Sequence, residues 1–147
     1  EFNYRYADAD EAHVFVGVQT AGRDEIRQLL RTLDGAGLKA RDFSDNEMAK
    51  LHVRHMVGGR APRAAHERLT RFEFPERPGA LMQFLDAMSP EWNISLFHYR
   101  NHGAAYGRVL CGMQVPPPAR GAFRRFLRDL AYPHWDETDN PAFRLFL

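Results

Sequence analysis

Few residues in this 147-residue chain have types and spacing that can do chemistry. Histidines stand in two pairs, His52/His55 and His98/His102. Side chains at i and i+3 share a helix face, and two imidazoles with a third ligand can hold zinc. No cysteine or carboxylate stands at ligand spacing, and His98 and His102 flank a turn, so no metal site is expected. Asp136-Glu137-Thr138-Asp139 is as acidic as a calcium loop but lacks the glycine and closing glutamate of one. Ser44, Ser89 and Ser95 sit in no nucleophile elbow, and neither Lys39 nor Lys50 has a cofactor-like setting. Gly58-Gly59-Arg60 follows a helix instead of leading into one, unlike a phosphate loop. No catalytic residues emerge. What remains is Pro78-Gly79-Ala80-Leu81, an uncluttered helix start whose free N–H groups and dipole suit a carboxylate. Leu81, Leu85 and strand aromatics would hold an apolar group beside it, which describes a hydrophobic amino acid. The plainer reading is that Pro-Gly-Ala-Leu only begins a helix.

Composition bounds these readings. Hydrophobic content of 44% and charged content of 27% are ordinary globular values. A net charge of +1 supplies no global field for nucleic acid or membranes. All but Lys39 and Lys50 of the 20 basic residues are arginine, which suits forked anion contacts but also follows from a GC-rich coding bias. The single cysteine, Cys111, excludes an internal disulfide framework, fits a cytoplasmic setting and reads as a buried structural thiol. No apolar run reaches the roughly 20 residues of a membrane span, and no secretory leader precedes Phe2. The chain opens inside a strand and looks like a piece of something longer.

The elements that would position these residues come in two copies. Phe2-Asn3-Tyr4-Arg5 echoes Phe97-His98-Tyr99-Arg100 at an offset of 95, and the same offset lays residues 14–19 on 109–114. Leu30-Arg31-Thr32-Leu33 matches Leu127-Arg128-Asp129-Leu130 at 97, and Ser44-Asp45-Asn46 matches Thr138-Asp139-Asn140 at 94. Such a repeat sets the architecture before any single motif does. Alternation predicts strands over 2–6, 13–19, 38–43, 67–74, 92–100, 106–115 and 132–137, with 13–19 apolar on both faces like a buried central strand. Helical spacing covers 23–34, with Ile26, Leu29, Leu30 and Leu33 on one face, and 79–88, with Pro78 in the first turn. It also covers 120–131, and a connecting helix over about 46–56 is capped by Ser44 or Asp45. A turn at His102-Gly103 and an apolar tail over 143–147 complete the chain. The second copy reads β-α-β-β-α-β, the ferredoxin-like order, and the first only β-β-α-β. The fold class is therefore α+β, with two ferredoxin-like subdomains, the first lacking its opening strand and helix. The first spans 1–59 with its connecting helix, 60–66 is a linker, and 67–147 is the complete second subdomain. A sheet edge and a helix-binding face left uncovered favour a homo-oligomer.

Three stretches carry a family resemblance: residues 72–81, residues 92–101 (Trp-Asn-Ile-Ser-Leu-Phe-His-Tyr-Arg-Asn) and residues 45–60. Together they resemble the C-terminal regulatory region of biosynthetic threonine dehydratase (threonine ammonia-lyase). The likeness covers essentially the whole chain. It implies two ACT-like subdomains that bind isoleucine as feedback inhibitor and valine as opposing activator. It also implies a partner catalytic domain, absent from these residues, that uses PLP to deaminate threonine to 2-oxobutanoate. No cofactor, nucleic acid or membrane partner is implied for this chain itself. By the same resemblance, effector sensitivity maps to Tyr99 and Arg100 with His98 beside them, to Leu81 and Leu85 on the helix after the Pro78-Gly79 turn, and to Arg54. Tyr4 and Arg5 are the repeat counterparts. Two readings compete. One is a purely oligomerising module; the other is an RNA-binding sheet, which the missing RNP signature over 106–115 disfavours.

Overall fold

The computed structural model describes residues 1–101 and 105–147, so the expected His102-Gly103 turn and the His98/His102 pairing lie outside the described residues. Six strands form, β1 (Phe2–Arg5), β2 (Val14–Val16), β3 (Glu67–Pro75), β4 (Asn93–Arg100), β5 (Tyr106–Gln114) and β6 (His134–Asp136). The helices are α1 (Arg23–Gly35), α2 (Arg54–Met56, continuing a π-helical turn Ala49–Val53), α3 (Ala80–Ala87), α4 (Arg120–Leu130) and α5 (Pro141–Phe146). They make two compact units: Glu1–Val16 with Val57–Leu147, and Gly17–Met56. Residues 1–59 thus contribute to both.

In the larger unit one antiparallel sheet runs β2-β1-β4-β5-β3-β6. Its β4-β5-β3-β6 portion, with α3 and α4 as connections, is the ferredoxin-like arrangement the alternation predicts. Thr70, Phe72 and Phe74 on β3 are buried beside Val109, Cys111 and Met113 on β5, while Arg71 and Glu73 point to the other face. Phe84 of α3 and Phe123, Phe126 and Leu130 of α4 close over the buried face, giving a core dominated by aromatic rings. Cys111 is wholly buried there, and desolvation, with the Glu67 charge second, pushes its thiol far above the usual range. It is an inert core residue.

The repeat is visible in the hydrogen-bond register. Phe2↔Val16, Asn3↔Phe15 and Tyr4↔Val14 between β1 and β2 recur as Phe97↔Cys111, His98↔Leu110 and Tyr99↔Val109 between β4 and β5. The two copies then join through β1 and β4, antiparallel, with Phe2↔Tyr99, Asn3↔His98 and Tyr4↔Phe97. Each motif pairs with its own copy about the Asn3/His98 position.

On the face away from α3 and α4, Arg5 pins this joint. Only 8% exposed, it forms an ion pair with Glu67, donates from Nε to Gly59 O (2.7 Å) and reaches Ser95 O (3.4 Å). Ser95 sits where the β4 register shifts, and its hydroxyl donates to the same Glu67 carboxylate. Gly112 leaves the space: a Cβ there would stand 2.7 Å from Glu67 Oε1 and 2.9 Å from Ser95 Oγ.

Several expectations change. Residues 38–43 form no strand. Their repeat counterpart, β6, is held only by β3, and residues 1–66 contain no copy of β3 to pair with. For the same reason β2 is an edge strand, not a buried central one, with Val14 and Val16 42% and 51% exposed. The apolar face of α1 is likewise not buried. Asn46, not Ser44 or Asp45, caps the connecting helix by accepting from Ala49 N (2.9 Å), while Asp45 binds Arg23. Asn140, the repeat counterpart of Asn46, caps α5 in the same way through Ala142 N (2.9 Å), so the expected tail is helical. Pro78 precedes the α3 cap and lies outside the first turn.

Candidate functional site

Where β3 runs into α3 the backbone must reverse within a few residues. Gly79 does this as the helix cap at φ 85°, a left-handed conformation that a side chain would strain. The Gly79 carbonyl accepts from Gln83 N (2.8 Å), and the N–H groups of Leu81 and Met82 have no acceptor among the described residues. These are the orphan donors of a helix start. The buried Tyr132 hydroxyl, 3.1 Å from both Ala80 O and Gln83 Oε1, fixes the turn from the α4 side.

Beside these donors lies a cleft of about 210 Å³ lined mainly by Phe74, Glu76, Gly79, Leu81, Met82 and Tyr99. Tyr99 donates its hydroxyl to Glu76 Oε1 (2.8 Å), and Asn101 Nδ2 donates to Oε2 (2.9 Å), so the Glu76 carboxylate is held at the cleft. Gly107, opposite Phe74 and near the Tyr99 ring, makes room, because a Cβ there would strike Glu76 Oε1 and stand 2.5 Å from Tyr99 Cε2. The cleft therefore offers N–H donors for an anion, a carboxylate for a cation, and apolar walls.

Partial burial first, and then the bond to Glu76, push the Tyr99 phenol up to about 12. The raised value means the protonated donor form persists through neutral pH and is lost only as pH rises through about 12. Spectrophotometric titration should show late-ionising tyrosines, Tyr99 and Tyr4, of which Glu76→Gln moves only Tyr99 downward, without restoring the ordinary value, since burial remains. An unchanged titration in that variant would contradict the assignment.

The other expected site residues are placed as follows. Gly79, Ala80, Leu81 and Tyr99 meet in the cleft. Leu85 lies one turn along α3, 38% exposed and outside the lining. Tyr4, on β1, shares the face of Tyr99 but pairs with Phe97 of β4, and burial raises its phenol. His98 and Arg100 alternate with Tyr99 and so point to the opposite face of β4. Arg5 is on that opposite face too, its guanidinium taken up by Glu67, Gly59 and Ser95. Arg54 belongs to α2, in the unit Gly17–Met56. Sequence reasoning missed Glu76, Asn101 and Gly107. The signal available was an acid two residues before Pro-Gly, with no way to see that Tyr99 would reach it.

Comparison with known proteins agrees with this architecture. The family described as the C-terminal regulatory domain of threonine dehydratase matches residues 1–53 and 58–147. The L-threonine dehydratase biosynthetic IlvA of Burkholderia multivorans is 56% identical over 147 residues, covering 100% of this chain and 29% of that protein. Its namesake from Escherichia coli is 53% identical over 148 residues with the same coverages, 100% and 29%. The threonine dehydratase biosynthetic, chloroplastic, of Arabidopsis thaliana is 42% identical over 149 residues, covering 100% of this chain and 25% of that protein. The chain thus spans about 29% of the length of the bacterial relatives. No helix among the described residues is long and apolar enough to cross a membrane. With the matched residues running through both copies of the repeat, the chain belongs to the family of C-terminal regulatory domains of threonine dehydratase.

Proposed function

We propose that this chain senses isoleucine, the feedback inhibitor, and valine, the opposing activator, for a PLP-dependent enzyme that deaminates threonine to 2-oxobutanoate. The observation that carries this is the cleft between Gly79 and Tyr99. The α-carboxylate of an amino acid accepts from the Leu81 and Met82 N–H groups, its ammonium meets Glu76, and its branched side chain packs on Phe74 and Leu81. Catalysis belongs to a partner domain outside these residues. Lys50 Nζ donates to Ser44 O (2.9 Å) and Lys39 lies in the exposed 38–43 segment, so neither fits a PLP lysine. Control then follows from linkage, since an effector shifts the enzyme only by its difference in affinity for two states.

Titration calorimetry on this chain is the direct test. Isoleucine or valine should bind with a dissociation constant of about 1 mM or tighter, roughly −4 kcal/mol. Glu76→Ala should weaken binding about tenfold or more, as loss of a charge-assisted contact predicts. 3-Methylpentanoate, which lacks the ammonium, should bind wild type no better than isoleucine binds that variant. If neither amino acid binds at millimolar concentration, the sensing role is wrong. A chain that self-associates but binds neither is the purely oligomerising module.

A further inference from the structure

The outer face of α4 carries Arg120, Arg124 and Arg128 at i, i+4 and i+8, with Arg125 alongside, and all four are exposed. Like charges at this spacing repel, and α4 tolerates them because its inner face is buried through Phe123, Phe126 and Leu130. The repeat supplies an internal control. At an offset of 97 the same ladder stands on α1 as Arg23, Arg27 and Arg31. There Arg23 grips Asp45 through two bonds of 2.8 Å, and Arg27 is paired with Asp24. The positions of Asp24 and Glu25 are Gly121 and Ala122 in α4, so the acid that pairs with Arg27 is gone; Asp45 keeps a counterpart in Asp139, which binds Arg144 instead. Arg128 keeps its neighbour Asp129 (2.9 Å), but among the described residues Arg120, Arg124 and Arg125 meet no carboxylate at ion-pair distance. A coding bias accounts for arginine in place of lysine. It does not account for the missing acids.

The complementary charge lies in the same compact unit. Asp8-Ala9-Asp10-Glu11, the turn between β1 and β2, presents three exposed acids. Among the described residues, Asp8 has one distant ion pair with Arg63 (3.8 Å), Glu11 one with His13 (3.8 Å), and none of the three acids pairs with α4. Asp8 Oδ1 also accepts from Asp10 N (2.8 Å), so the segment is bent, not extended. The ladder from Arg120 to Arg128 spans about 12 Å at 1.5 Å per residue. We propose that the arginine ladder on α4 docks the Asp8–Glu11 turn of a second copy of this chain. A two-fold arrangement makes the contact twice, ladder to turn and turn to ladder. This surface is distinct from the apolar edge at β2.

Sedimentation velocity on the full chain tests the pairing by charge swap. Wild type should self-associate at low salt, with a dissociation constant that rises at least tenfold in high salt or in either Arg124→Glu or Asp10→Arg. The double variant Arg124→Glu/Asp10→Arg should recover most of that loss. Circular dichroism on these surface variants checks that each remains folded. Association that survives both single reversals belongs to the β2 edge and overturns the proposal. So does a double variant that fails to recover. A wild-type chain that stays monomeric at low salt leaves the ladder to some other acidic partner and equally overturns it.

Discussion

Glu67→Ala should destabilise the larger unit by about 3–5 kcal/mol, read as a fall in the urea midpoint, because it strips a buried arginine of its counter-charge. The Glu67 and Arg5 side chains are only 9% and 5% exposed. Without the carboxylate, the Arg5 guanidinium would keep its contacts to Gly59 O, Leu147 O and Ser95 O but lose its partner Glu67, and the Ser95 hydroxyl would lose its acceptor. The loss is larger than for a surface pair because neither group can turn to water. The double variant Arg5→Met/Glu67→Leu should recover most of the stability, since apolar partners of similar size often replace a buried pair at little cost. A Glu67→Ala chain within 1 kcal/mol of wild type would mean that the pair is weak and the joint held by strand pairing alone.

Phe84→Ala should cost a similar ~3–5 kcal/mol, from lost transfer energy plus the cavity left behind. Phe84 is fully buried, with ring centroids 5.4 Å from Phe72, 5.1 Å from Phe74, 6.1 Å from Phe97 and 5.6 Å from Phe126. It is also the main inward anchor of α3, a helix of eight residues in which only Ala80 and Phe84 are buried. Loosening it lets the helix start drift from Tyr99 and Glu76. Effector affinity should therefore fall together with stability, which calorimetry at a temperature where the variant is still folded will read. Full-affinity binding by a destabilised variant would show that the cleft does not depend on this anchor.

The second copy of the fold was legible because its code is local. Thr70, Phe72 and Phe74 alternate, Phe123, Phe126 and Leu130 recur at helical spacing, and Gly79 marks the turn between them. The repeat was legible for a similar reason, since Val-Phe-Val-Gly and Val-Leu-Cys-Gly align without a gap in the strand register. What escaped depends on partners distant in sequence. Residues 38–43 have strand-like composition but no ladder to join, and composition cannot report a missing neighbour. Part of the site was visible as Pro-Gly-Ala-Leu and Tyr-Arg. Strand alternation divides that second pair, sending Tyr99 to the cleft and Arg100 to the other face. Arg5 illustrates the same limit: its motif suggested a ligand contact, and only the fold discloses Glu67 beneath it. Glu76 was passed over because its value comes from Tyr99 and Asn101, 23 and 25 residues downstream.

The self-paired joint at Asn3 and His98 also bears on ancestry. A strand that lies antiparallel against its own copy, in matching register on both sides, is what two separate identical chains make when they meet across a dyad. The polypeptide therefore has the form of a homodimer written in tandem by gene duplication. Tandem fusion releases the two halves from identity. Position 3 and position 98, one residue in a symmetric ancestor, are now asparagine and histidine. The same release let Asp24 and Glu25 stand among the arginines of one helix where the other has Gly121 and Ala122. Two halves that began equal can thereby come to differ in the contacts they make.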